Sequence, residues 1–235
     1  AFSNASGATA NAIARWNNHG FTNIGAATAL SGAIVRTVTV GTDGYIYAGG
    51  TITTASGTSV SAIARFSGTG WQTMASGVQG DPVVGNSVVY VSRLDKDGNV
   101  IVGGGLTGGG GGIASCGIIK WNVGSSAWNT IANGVRRNDS SISTVFGTAI
   151  DSNGDIWASG RFDSAGAITF TACRVARYSQ SSSAWVAVGG YGLSDNSAGL
   201  GMAGMALGTD GTAYIGRTTA TAAACFLYSS NGTTL

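Results

Sequence analysis

Glutamate is absent from this chain, and lysine occurs only at Lys96 and Lys120. With charged residues at 9% of 235, the long polar side chains that favour solvent-exposed helices are almost missing. Val, Ile, Thr, Tyr, Phe and Trp instead alternate with clusters of Gly, Ser and Asn, which predicts short strands joined by turns. The scarcity of charge also bears on partners. A net charge of +2, with one basic doublet at Arg136 and Arg137 beside Asp139, gives no electrostatic footprint for nucleic acid. No apolar run approaches the ~20 residues of a membrane-spanning helix, so membrane insertion is not expected.

Groups able to carry chemistry are few. His19 is the single histidine, in the turn "NNHG", and several imidazoles would be needed for a copper or zinc centre. Cys116, Cys173 and Cys225 lie some fifty residues apart, a spacing that fits neither a disulfide framework nor paired metal ligands, and they read as small buried apolar residues. Sugar hydrolysis usually needs two carboxylates about 5 to 9 Å apart. Asp43, Asp97 and Asp210, however, read as turn residues, with Asp95, Asp151 and Asp155 flanking the same turns. "DKDGN" (Asp95 to Asn99) and "DSNGD" (Asp151 to Asp155) hint at calcium, but the sibling segments "GTDGY" and "GTDGT" lack the first Asp, so hairpin turns are expected instead. No catalytic residue, metal or cofactor is predicted, and the chain is expected not to be an enzyme.

What the sequence does contain is a repeat. An apolar pair, a basic residue and an aromatic recur as "IARW" (Ile13 to Trp16), "IARF" (Ile63 to Phe66), "IIKW" (Ile118 to Trp121) and "VARY" (Val175 to Tyr178), with a degenerate "CFLY" ending at Tyr228. The aromatics are spaced 50, 55, 57 and 50 residues apart. Asp43-Gly44, Asp97-Gly98, Asn153-Gly154 and Asp210-Gly211 keep a similar step and suit two-residue hairpin turns. Three positions before each lies a core-type residue: Val40, Leu94, Ile150 and Leu207. A third marker is Phe21, Trp71, Trp128 and Trp185, each with an apolar residue three further on: Ile24, Met74, Ile131 and Val188.

Each period of about 50–57 residues thus holds four strand-sized segments, designated a to d, the content of one β-propeller blade. A lone four-stranded blade cannot bury both faces, whereas stacked blades cover one another. The double glycine after strand b, the aromatic of strand c and the Trp of strand d resemble kelch-type propeller repeats. "SGRFDSAG" followed by "VARYSQSSSAW" is similar to repeats of fungal cortical polarity markers and of bacterial and giant-virus surface proteins. That resemblance implies an all-β propeller of four-stranded antiparallel blades. Residues 1–25 would hold strands c and d of a first blade, 31–75, 85–132 and 143–188 complete blades, and 200–235 a partial last one, an incomplete segment of a longer propeller.

The basic residue of strand c (Arg15, Arg65, Lys120, Arg177) recurs once per repeat, and each is expected to be half-buried against an Asp or a carbonyl near a neighbouring turn. Binding is expected on the face carrying the b–c and d–a loops, whose lengths and sequences vary. Arg136, Arg137, Asp139, Tyr191 and Asp195 are the candidate partner-binding residues there. The "GLTGGGGGIASCG" stretch keeps the repeat register and is the b–c loop of one blade, either a close backbone-packing spot for a partner or, the reading favoured, the most mobile loop of that face. These features together suggest a non-enzymatic structural or interaction module of an extracellular or virion assembly, with other proteins as partners. A lectin-like, glycan-binding propeller is the alternative.

Overall fold

The computed structural model describes residues 3–5, 7–10, 12–25, 30–31, 34–80, 87–138, 141–169, 175–188, 202–217 and 224–228. Among these residues there is no helix, and every strand pairing is antiparallel. Three segments form complete four-stranded meanders. Repeat 2 runs Val35–Val40 (a), Ile46–Gly50 (b), Ile63–Phe66 (c) and Trp71–Gln72 (d). Repeat 3 runs Val88–Leu94, Val100–Gly105, Ile118–Asn122 and Ala127–Thr130; repeat 4 runs Thr144–Ile150, Ile156–Arg161, Val175–Ser179 and Ala184–Ala187. Repeat 1 contributes strands c (Ala14–Trp16) and d (Phe21–Asn23), and repeat 5 strands a to c (Met202–Leu207, Ala213–Arg217, Ala224–Tyr228).

Apolar clusters lie between successive repeats, because each sheet has two apolar faces and must bury both. The junction of repeats 2 and 3 packs Tyr47, Ile63 and Met74 against Val89, Val102, Leu106, Trp121 and Trp128. The junction of repeats 3 and 4 packs Val91, Ile101 and Ile131 against Val145, Ile156, Phe162 and Trp185. Equivalent clusters join repeats 1 and 2 and repeats 4 and 5.

Strand a carries a register irregularity at one equivalent place in repeats 2 to 5, between Val35 and Thr37, Val89 and Val91, Val145 and Gly147, and Met202 and Gly204. The double glycine answers it. A Cβ on Gly104 would run into the Val88 carbonyl oxygen, as one on Gly50 or Gly160 would meet Ile34 or Thr144. The preceding Gly103 is crowded from the next repeat, where an added Cβ would lie 2.8 Å from Val145 Cγ1.

The a–b turns differ from the two-residue form. In repeat 3 Asp95 N donates to Asn99 O at 2.8 Å and Gly98 N to Asp95 O at 3.1 Å, leaving a three-residue loop in which glycine alone takes a positive φ (+81°). All four turns share this pattern, which is the type I turn plus left-handed residue of longer hairpins. The core-type residues before them are half-buried at Leu94, Ile150 and Leu207, and Val40 is exposed.

Candidate binding face

In each meander the a–b and c–d turns fall at one end of the strands, and the b–c and d–a connections at the other. At that second end the two kinds of connection are not independent loops. The d–a segment Val78–Gln79 of repeat 2 pairs with Gly108–Gly109 in the b–c hairpin of repeat 3, which pairs in turn with Ile113–Ala114. Val135–Arg136 pairs likewise with Ser164–Ala165, backed by Ile168–Thr169, and Leu30–Ser31 with Thr54–Ala55, backed by Thr58–Ser59. Each small three-stranded sheet therefore ties one repeat to the next. Its outer strand lies on the surface, with Thr58, Ser59, Ala114 and Thr169 exposed.

The glycine run is the central element of one such sheet. Gly108, Gly109 and Gly110 are buried, and a Cβ on Gly109 would lie 2.6 Å from Ile119 Cδ1 and 2.7 Å from Trp128 Cγ. Gly108 to Gly110 thus pack closely within this chain, an arrangement that neither sequence expectation, a partner-packing spot or a mobile loop, included, while Gly111 and Gly112 are exposed. Between paired residues its turn is Gly110, Gly111 and Gly112, one residue longer than the Ser56-Gly57 turn of repeat 2.

Of the candidate partner-binding residues, Arg136 is exposed on this face, while its carbonyl accepts from Asp163 N at 2.7 Å. Arg137 is half-buried beside it. Asp139, Tyr191 and Asp195 lie outside the described residues. Asn138 N donates to Asp163 Oδ2 at 3.2 Å, so Asp163 holds the Arg136–Asn138 segment in place, a contact that no local sequence signal announces.

The opposite end is built for turn closure. Asp151 Oδ1 accepts from Asn153 N and Asp155 N, and its Oδ2 from Trp157 Nε1 at 3.0 Å; Asp95 accepts from Asp97 N, Asn99 N and Asn99 Nδ2. These carboxylates are engaged in closing their own loops, as hairpin turns require. Where glycine replaces the first Asp, the later Asp takes over. Asp43 Oδ1 accepts from Tyr45 N and its Oδ2 from Tyr47 OH at 2.6 Å, and a Cβ on Gly41 would collide with Asp43 Oδ1. Burial, then the Asp43 acceptor, pushes the Tyr47 hydroxyl well above the ordinary tyrosine range. Among the described residues no three His, Cys, Asp or Glu side chains form a metal-holding group.

The strand c cations follow different rules in different repeats. Arg177 has its Nε 3.7 Å from Asp155 Oδ2 and stacks over Trp157, close to the expected pairing. Arg65 lies instead over Tyr45 (4.6 Å) and Trp121 of the next repeat (5.7 Å), Lys120 is half-buried, and Arg15 is exposed. His19 is exposed, its Nδ1 3.2 Å from Asn17 O. Cys116 is a free thiol and only half-buried, which corrects the buried reading; Cys173 lies outside the described residues, and Cys225 is placed by its backbone alone.

No family model and no curated protein matches the chain. Among solved structures it resembles PorZ, a surface component of the type-IX secretion system of Porphyromonas gingivalis, with a TM-score of 0.52 and 13% identity over 86% of this chain and 27% of that one. It also resembles the extracellular domain of a hybrid two-component system of B. thetaiotaomicron, with a TM-score of 0.50 and 12% identity over 94% of this chain and 24% of that one. A second such domain from the same organism gives 0.44 and 14%, over 80% and 19%. The chain spans about a quarter or less of the length of each of these proteins. At these identities the likeness concerns the fold alone, and the fold is all-β and antiparallel.

Proposed function

We propose that the chain is a stretch of kelch-like β-propeller, with strands a nearest the axis, acting as a non-enzymatic interaction module of an extracellular assembly. The observation that carries this reading is the chain of small sheets at the b–c and d–a end. They tie the described d–a segments to the b–c hairpin of the following repeat, so that end offers a partner a surface already ordered by backbone pairing. The radial arrangement is supported by close approach of successive strands a: Thr37 Oγ1 lies 2.9 Å from Ser92 Oγ, and the Tyr90 and Phe146 rings are 4.9 Å apart. The recognition surface comprises Thr58, Ser59, Ala114, Arg136 and Thr169, which are exposed on consecutive repeats.

The test is photo-crosslinking in the source organism, with a crosslinking residue at position 58, 114 or 136 and, as the opposite end, at 97 or 153. Protein partners captured at the first set and not the second support the reading. Capture confined to 97 and 153 overturns it.

A further inference from the structure

Each small sheet at the b–c and d–a end has one cross-strand row turned inward and one turned outward, because directly opposed residues share a face. Between repeats 3 and 4, Val135 opposes Ala165 and Ala165 opposes Ile168, and this row packs into the apolar cluster of the junction. The other row, in which Arg136 opposes Ser164 and Ser164 opposes Thr169, faces outward. Arg136 and Thr169 are exposed there, with Ser164 half-buried between them.

The outward rows of the two preceding sheets are closed on themselves. In the first, Ser31 opposes Thr54 and the two hydroxyls bond each other. In the second, Gln79 opposes Gly108 and lies across it, its Oε1 3.2 Å from the place a Gly108 Cβ would take. Arg136 is the one charged residue of the three rows. Among the described residues its guanidinium has no ion pair, hydrogen bond or ring contact, and the Thr169 hydroxyl makes no bond either. Asp163 turns its Oδ2 to Asn138 N, and Ser164 Oγ makes only a long bond to the Arg136 carbonyl, at 3.4 Å.

We propose that this row anchors the partner by taking a carboxylate from an acidic segment of it; the inference rests on reading the loop face as the interaction surface. A guanidinium offers a planar fork that meets a carboxylate through two parallel hydrogen bonds. Thr169 adds a hydroxyl donor on the same row. Three strands span about 10 Å, so a short extended segment crosses the whole row. One unpaired positive charge with Asp163 close by suits a singly charged carboxylate better than a phosphate dianion. An arginine with ordered polar neighbours is also the kind of residue on which binding energy concentrates.

The experiment titrates the isotope-labelled full chain, at fixed ionic strength, with the peptide acetyl-Gly-Asp-Gly-Asp-Gly-amide and follows backbone amide shifts. The comparison probes are the same peptide with Asn in place of Asp, and inorganic phosphate. Saturable shifts at Arg136, Ser164 and Thr169 are expected from the acidic peptide, with Asp97 and Asn153 at the opposite end unmoved. Arg136→Gln should weaken binding about tenfold, and Arg136→Lys, which keeps the charge and loses the fork, about threefold. Both change an exposed side chain, and circular dichroism checks the fold. Equal shifts from the Asn peptide, tighter saturation by phosphate, or unaltered binding by Arg136→Gln overturns the proposal. Partner capture at positions 58 and 114 that Arg136→Gln leaves unchanged also overturns it, while the loop-face reading stands.

Discussion

Trp128 donates its indole Nε1–H to the backbone carbonyl of Met74 at 3.0 Å, across the junction of repeats 2 and 3. Trp71 makes the same bond to Ile24 O, and Trp185 to Ile131 O, both at 3.0 Å. One sequence marker, an aromatic with an apolar residue three positions on, thus supplies both halves of a clasp: the indole bonds backward, and the later residue's carbonyl receives the next repeat's indole.

Replacing Trp128 by Phe keeps an aromatic ring in the cluster and removes one of the two donors to the Met74 carbonyl, which still accepts from Gly77 N at 2.9 Å. Losing one such hydrogen bond costs about 0.5–1.5 kcal/mol. Thermal melting of Trp128→Phe should fall by roughly 2–4 °C for each kcal/mol lost. An unchanged melt would show that the clasp contributes nothing.

Gly109→Ala should destabilise by about 3 kcal/mol, since its methyl meets both Ile119 and Trp128. Gly111→Ala meets open space and bears only the strain of φ +84°, about 1 kcal/mol. Urea midpoints of the two variants compare the costs directly. A larger loss at position 111 would contradict the packing described for the run.

Turn chemistry gives a compensation test. Gly41→Ala should destabilise, because its Cβ collides with the Asp43 carboxylate. Gly41→Asp combined with Asp43→Asn rebuilds the pattern of the 151–155 loop, where the first Asp bonds the strand b aromatic. Chemical denaturation should find the double variant more stable than Gly41→Ala.

Tyr47 gives a pH dependence of known sign. Its folded hydroxyl holds its proton more firmly than the unfolded one, through burial and then Asp43. The stability it contributes is complete below the unfolded value near ~10 and is lost as pH rises above it. Tyr47→Phe should flatten the alkaline limb of stability against pH measured by urea denaturation. An unchanged limb would remove Tyr47 as its source.

Strand positions were readable because alternating apolar residues, the strand c aromatic and a glycine stop after strand b, doubled at Gly49-Gly50 and Gly103-Gly104 and single at Gly160 and Gly216, are local signals that recur from repeat to repeat. The turn type was not, since Asp-Gly serves both two-residue and three-residue hairpins, and only the Asp95 N to Asn99 O bond distinguishes them. The packing of the glycine run escaped for a different reason: Val78–Gln79, Ile119 and Trp128, which crowd it, come from other segments. Val40 was misread because its burial depends on a neighbouring strand and not on its own side chain. Arg136 was legible as an exposed basic residue, but its place in a small sheet with Ser164 was not.

The central claim, that successive sheets fan out from an axis lined by strands a, is tested most directly by paired spin-label distances in a variant with Cys116, Cys173 and Cys225 replaced by Ser. One pair sits at Arg36 and Phe146, beside the strand a irregularities of repeats 2 and 4, and the other at Gln72 and Val186, opposite Arg65 and Arg177 in strand d. A fan gives a distinctly shorter 36–146 distance than 72–186. Equal distances would mean a parallel stack and would contradict the propeller.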